Sequence, residues 1–127
     1  MRLLLTALIF AGGLFYLFMG LGFMLDAANS GADFGLVGQG AKGLATMRAD
    51  MGAFFIVAAI CMMFGAWKRN GDFLVPAALL FLVALIGRGV GIAMDGTYDG
   101  FWPPMLIEFA TAAIVLYASR VLPHLET

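Results

Sequence analysis

Four long apolar runs dominate the chain, and the short stretches between them hold most of its charge. The runs are Leu3 to Leu25, Met47 to Trp67, Phe73 to Met94 and Pro104 to Leu122. Each has about 20 residues, which at ~1.5 Å rise per residue matches the ~30 Å hydrocarbon layer of a bilayer. None alternates with period two, as a barrel strand would. Lipid offers a backbone no hydrogen-bond partner, so each run is predicted to be a helix that satisfies its own N–H and C=O groups. The first run exceeds the ~7–15-residue apolar core of a signal peptide and is read as a retained span. The pattern therefore predicts an all-α fold, an integral membrane four-helix bundle. It forms one domain over residues 1–127, with helices near 3–25, 47–67, 73–94 and 104–122.

The breaks between runs agree. Asn70-Gly71-Asp72 predicts a tight turn that makes the second and third helices antiparallel neighbours. Pro103-Pro104 opens the fourth helix, where a missing N–H does no harm, and Pro123 ends it. The connection from Asp26 to Thr46 is different. It is rich in glycine, with Phe34, Leu36, Val37 and Leu44 interspersed. Its length reads either as an irregular lid on the membrane surface or as a plain flexible loop.

Composition turns the pattern into a membrane protein. The chain is 63% hydrophobic and 12% charged, about half the charge of a soluble domain, and its mean hydropathy is +0.99. With a net charge of −1 and no basic cluster, it offers a nucleic acid no set of phosphate contacts. A single cysteine, Cys61, lies within the second run, so neither an intramolecular disulfide nor a paired-thiol motif can form. It reads as a packing residue. The one histidine, His124, cannot supply a metal cluster or a pair of haem ligands, so neither metal nor cofactor is expected. Gly38-Gln39-Gly40-Ala41-Lys42-Gly43 matches a dinucleotide fingerprint by spacing only. The strand and βαβ unit it needs cannot lie between two membrane helices, and Gly43 stands where a phosphate-binding loop requires Ser or Thr.

Orientation follows from Lys and Arg in the connections. Arg2, Lys68, Arg69 and Arg120 share one side, against Lys42, Arg48, Asp26, Asp33, Asp95 and Asp99 on the other. Both termini are therefore expected to be cytoplasmic, with residues 26–46 and 95–103 outside. Tyr98, Phe101 and Trp102 then fall where an outer aromatic belt belongs, and Trp67 at the inner one.

Charge at membrane depth carries the chemistry. Arg48 and Asp50 sit in the first turn of the second helix. Arg88 lies about 10 Å inside the outer end of the third helix and Glu108 about 6 Å inside that of the fourth, by helical rise. A single charge at mid-membrane costs about 2.5–3.5 kcal/mol on insertion scales, somewhat less near the interface. Two cations and two anions at one level can neutralise one another. Arg48, Asp50, Arg88 and Glu108 are thus the candidate ligand-binding residues. Two readings fit them: an ion-pair cluster that fixes helix packing, and an outward-opening polar pocket for a ligand head group, with Glu108 able to carry a proton. Gly87 and Gly91, Ala49 and Ala53, and Gly13 and Gly20 are small residues at spacings that let helices approach, within the chain or between copies.

The order Arg48-Ala49-Asp50-Met51-Gly52-Ala53, basic turn, Gly87-Arg88, Asp95-Gly96 and Glu108 resembles the bacterial domain-of-unknown-function family 4345. The resemblance covers nearly the whole chain and is most specific from Arg48 to Glu108. It implies four membrane helices, with an Arg followed by a glycine-rich helix, a Gly-Arg on the third helix and a Glu on the fourth. Met51 stands where that family commonly has an aromatic residue, so no tyrosine hydroxyl is implied there. The fold is also similar to the broader DoxX-like group, some of whose members are linked to quinone or thiol redox systems. This chain lacks the cysteines for such work, so only the fold carries over. The implied location is the bacterial inner, cytoplasmic membrane. Three functions stay open: binding a lipid or other amphiphilic small molecule at the charged outer pocket, an accessory or self-assembling subunit (a homo-oligomer or a membrane-protein partner), and a proton-coupled transporter or enzyme, for which no catalytic residue set is apparent.

Overall fold

The computed structural model describes residues 2–124. These form α1 (Arg2–Leu25), α2 (Ala27–Ala32), α3 (Gly40–Lys68), α4 (Gly71–Asp95) and α5 (Trp102–Val121), followed by a 3-10 turn at Leu122–His124. Among the described residues there is no strand. Four of the helices are long and apolar enough to cross a membrane, as a multi-pass helical bundle requires. Their outward faces carry Leu4, Leu8, Val57, Val83, Met94 and Phe109, all exposed. So much contiguous apolar surface suits lipid, not water.

Helix ends differ from the hydropathy pattern where the apolar run is shorter than the helix. α3 begins at Gly40, seven residues before Met47, because its first turns, with Lys42, Thr46 and two glycines, lie before the continuous apolar stretch. α5 begins at Trp102, which places both prolines in its first turn. The connection after α1 is partly helical, with α2 followed by an irregular stretch up to α3. Asp26 ends α1, caps α2 through the Asn29 amide, and also holds the Asn29 side chain at 2.7 Å. Phe34 then turns inward against the rings of Phe23 and Phe55, at 5.5 and 5.8 Å. The tight turn between α3 and α4 has Arg69 in the left-handed conformation (φ 51°) and Asn70 capping the Asp72 amide at 2.9 Å.

Both loops, residues 26–39 and 96–101, lie at one end of the bundle, here the loop end. The α3–α4 turn lies at the other, the turn end. α1 packs on α3 along its whole length, with Gly13 and Gly20 as the contact points. A Cβ on Gly20 would lie 3.0 Å from the Ile56 amide nitrogen, and one on Gly13 would lie 3.1 Å from the Ala59 carbonyl. α4 and α5 form a second hairpin, joined to the first mainly through α3. Its buried residues are Leu74, Ala77, Ala78 and Phe81 on α4, and Ala112, Val115, Ala118 and Ser119 on α5. All of these belong to the half nearer the turn end. Toward the loop end the two hairpins part. A Cβ on Gly87, Gly89 or Gly91 would meet nothing within 4 Å, and Ala49 and Ala53 are exposed. Gly13 and Gly20 therefore serve packing within the chain, whereas Gly87, Gly91, Ala49 and Ala53 do not.

Candidate ligand-binding site

The parting of the hairpins leaves a cavity of about 1090 Å³ at the loop end. Its floor is aromatic. Tyr16 of α1 is 4% exposed and stacks on Phe55 of α3 at 5.9 Å, with Phe81 of α4 at 4.5 Å on its other contact. A buried phenol needs a partner, and Tyr16 finds it in the Thr111 hydroxyl of α5 at 2.7 Å. One wall is the α1 stretch with Phe15, Phe18, Met19 and Gly22; the opposite wall is α5, with Pro104, Ile107 and Glu108. The two loops supply the rim through Ser30, Asp33, Phe34, Tyr98 and Asp99.

Arg88 and Glu108 meet at the edge of this cavity. With α5 starting at Trp102, Glu108 lies about 9 Å along its helix from the loop end and Arg88 about 10 Å along its own, by helical rise. Antiparallel neighbours with opposite charges at one level should pair in low dielectric. They do: Arg88 Nε donates to both carboxylate oxygens of Glu108, at 2.8 and 2.9 Å. The pair is only partly buried, with side-chain exposures of 29% for Arg88 and 12% for Glu108. Because Nε takes the carboxylate, the terminal Nη amino groups of Arg88 make no hydrogen bond among the described residues.

The other two candidates are placed elsewhere. Arg48 Nε donates to the Met24 carbonyl at 2.8 Å, one of the carbonyls that the end of α1 leaves without an intrahelical partner. Arg48 thus ties α3 to the end of α1 and does not touch the Arg88–Glu108 pair. Asp50 is exposed, with no hydrogen bond or ion pair among the described residues. Neither lines the cavity. The expected four-member cluster is in fact one ion pair and two separate charges, because Arg48 is drawn to the end of α1 and Asp50 is exposed. Sequence reasoning missed Tyr16, Asp33 and Asp99 as cavity residues, and Thr111 as the partner of Tyr16. A tyrosine inside an otherwise apolar span is a readable signal, since its hydroxyl must be satisfied. The aspartates carried none beyond their place in the loops. Among the described residues no group of His, Cys, Asp and Glu could hold a metal ion.

No protein-family model, curated protein or solved structure matches this chain.

Proposed function

We propose that this protein is a small bacterial inner-membrane protein, with both termini cytoplasmic, that binds a lipid or other amphiphilic molecule in the cavity at its loop end. The loop end then faces the outer leaflet. The observation that carries the reading is the joining, in one cavity, of an aromatic floor with a partly exposed ion pair and a polar rim. Binding cavities for small molecules commonly measure about 300–1,000 Å³ and combine apolar walls with a few convergent polar groups. An acyl chain suits the Tyr16–Phe55–Phe81 floor, and a polar head suits the Arg88 level and the rim. Proton coupling has less support, since a proton-carrying acid must be free of a fixed cation and Glu108 is held by Arg88.

The test is the lipid retained on the purified protein, measured by native mass spectrometry in a mild detergent. Ile107→Trp, which adds bulk to the cavity wall, should abolish retention of an amphiphile. Leu79→Trp, on the exposed face of α4, should leave it unchanged. Equal retention in the two variants would refute the reading. A second reading, self-assembly, rests on the open faces around Gly87, Gly91, Ala49 and Ala53. Leucine at Gly87 and Gly91 would then reduce an oligomer to monomers in the same spectrometer.

A further inference from the structure

The cavity has a charge order from its depth to its rim, and that order selects a head group. Resting on the reading of the cavity as an amphiphile site, we infer that the amphiphile is a phospholipid whose head carries a phosphate and, further out, an ammonium group. Four ionisable carboxylate or guanidinium side chains line the cavity: Arg88, Glu108, Asp33 and Asp99. Glu108 balances the charge of Arg88 through Nε and leaves the Nη N–H groups as donors. What remains is two carboxylates, both on the rim loops and both exposed. Neither has a hydrogen-bond or ion-pair partner for its side chain among the described residues. An anionic head placed at the rim would meet like charge, whereas an ammonium would meet opposite charge.

The deeper half of the site asks for an acceptor. Arg88 lies about 10 Å along its helix from the loop end, below the level of both loops. Its Nη groups are donors without an acceptor among the described residues. A planar guanidinium engaged through one edge keeps a second edge for a phosphate oxygen. In a zwitterionic phospholipid the phosphate sits next to the glycerol and the ammonium is outermost. The cavity repeats that sequence from floor to rim: aromatic rings for the chain, guanidinium for the phosphate, carboxylates for the ammonium. A cationic amphiphile would satisfy only the rim, and an anionic one only Arg88.

Four lipids that share the same dioleoyl chains separate these possibilities: phosphatidylethanolamine, phosphatidylglycerol, the trimethylammonium-propane lipid and diacylglycerol. Each is added to the delipidated full-length protein, and the bound fraction is read by native mass spectrometry. Phosphatidylethanolamine should bind tightest, about fivefold over phosphatidylglycerol, the upper range for partly exposed charge pairs. Asp33→Asn together with Asp99→Asn should bring the two to equal affinity. Both residues are exposed, so the protein should remain folded. Phosphatidylglycerol binding as tightly as phosphatidylethanolamine to the unaltered protein would overturn the role of the rim. The trimethylammonium lipid binding as tightly would overturn the role of Arg88. Equal binding of all four, diacylglycerol included, would leave an amphiphile site but refute head-group selection. Binding of none would refute the cavity reading itself.

Discussion

Neutralising Glu108 should destabilise the bundle, and removing its partner as well should restore much of the loss. Glu108→Gln keeps the shape of the side chain and one acceptor for Arg88 Nε, but it leaves the guanidinium charge without a counter-ion. Breaking a fully buried pair costs about 3–5 kcal/mol, and exposed pairs contribute about 0–1 kcal/mol. Here Glu108 is 12% exposed and Arg88 29%, so water screens the arginine in part. The expected loss lies between these limits, at about 2 kcal/mol. An insertion cost for a lone arginine somewhat below ~2.5–3.5 kcal/mol agrees with it. Glu108→Gln with Arg88→Met removes both charges and should lose about 1 kcal/mol or less, so that the two sites couple by at least ~1 kcal/mol. Reversible unfolding in mixed micelles, titrated with a denaturing detergent and followed by circular dichroism, gives all four corners of the cycle. Losses that simply add, or a Glu108→Gln loss under ~0.5 kcal/mol, would show that the pair holds nothing together.

Further outcomes follow from the same contacts. Tyr16→Phe should cost about 1 kcal/mol through the lost hydrogen bond to Thr111, and Thr111→Val added to it should cost little more, as unfolding in micelles would show. Gly20→Leu should destabilise by more than ~2 kcal/mol, because the new side chain meets the α3 backbone. Gly87→Leu, with open space before it, should stay within about 0.5 kcal/mol in the same titration. Cys61→Ala should fold with a packing loss of at most ~1–2 kcal/mol and leave lipid retention unchanged. In that cysteine-free background, a cysteine at Asn70 should resist an impermeant thiol reagent in intact cells; labelling from outside would reverse the proposed orientation.

The spans were legible because lipid compatibility is a property of a continuous run, and hydropathy reads runs directly. Their ends were less so. Gly40 to Thr46 is helical although it is not apolar, since the α-helical backbone continues into polar surroundings once it has been nucleated. The Arg88–Glu108 contact was legible from depth alone: two antiparallel neighbours placed opposite charges at one level. Arg48 shares roughly that level but not that neighbour. Depth is a one-dimensional quantity, and the direction in which a side chain leaves its helix is not. Arg48 instead reaches the free carbonyl of Met24, a contact between residues on α1 and α3 that no local spacing encodes. The cavity was invisible for a related reason. It exists because α4 and α5 pack tightly near the turn end and part near the loop end, and that depends on how two hairpins are set against one another.

The ion pair and the cavity account for each other. Facing lipid, a guanidinium and a carboxylate would lose hydration that their mutual attraction repays only with good geometry and with further partners for the remaining N–H groups. Sealed in a packed core, Arg88 would leave its Nη groups unsatisfied, each at a cost of about 1–3 kcal/mol. At the edge of a cavity with a polar rim, the same groups can stay solvated or take a head group. The opening between the two hairpins at this level is then the condition under which α4 can carry an arginine at this depth at all. Closing the cavity with larger residues would strengthen apolar packing while stranding the arginine. The opening of the bundle and the charge within it are therefore one arrangement, and a change made to either will be felt by the other.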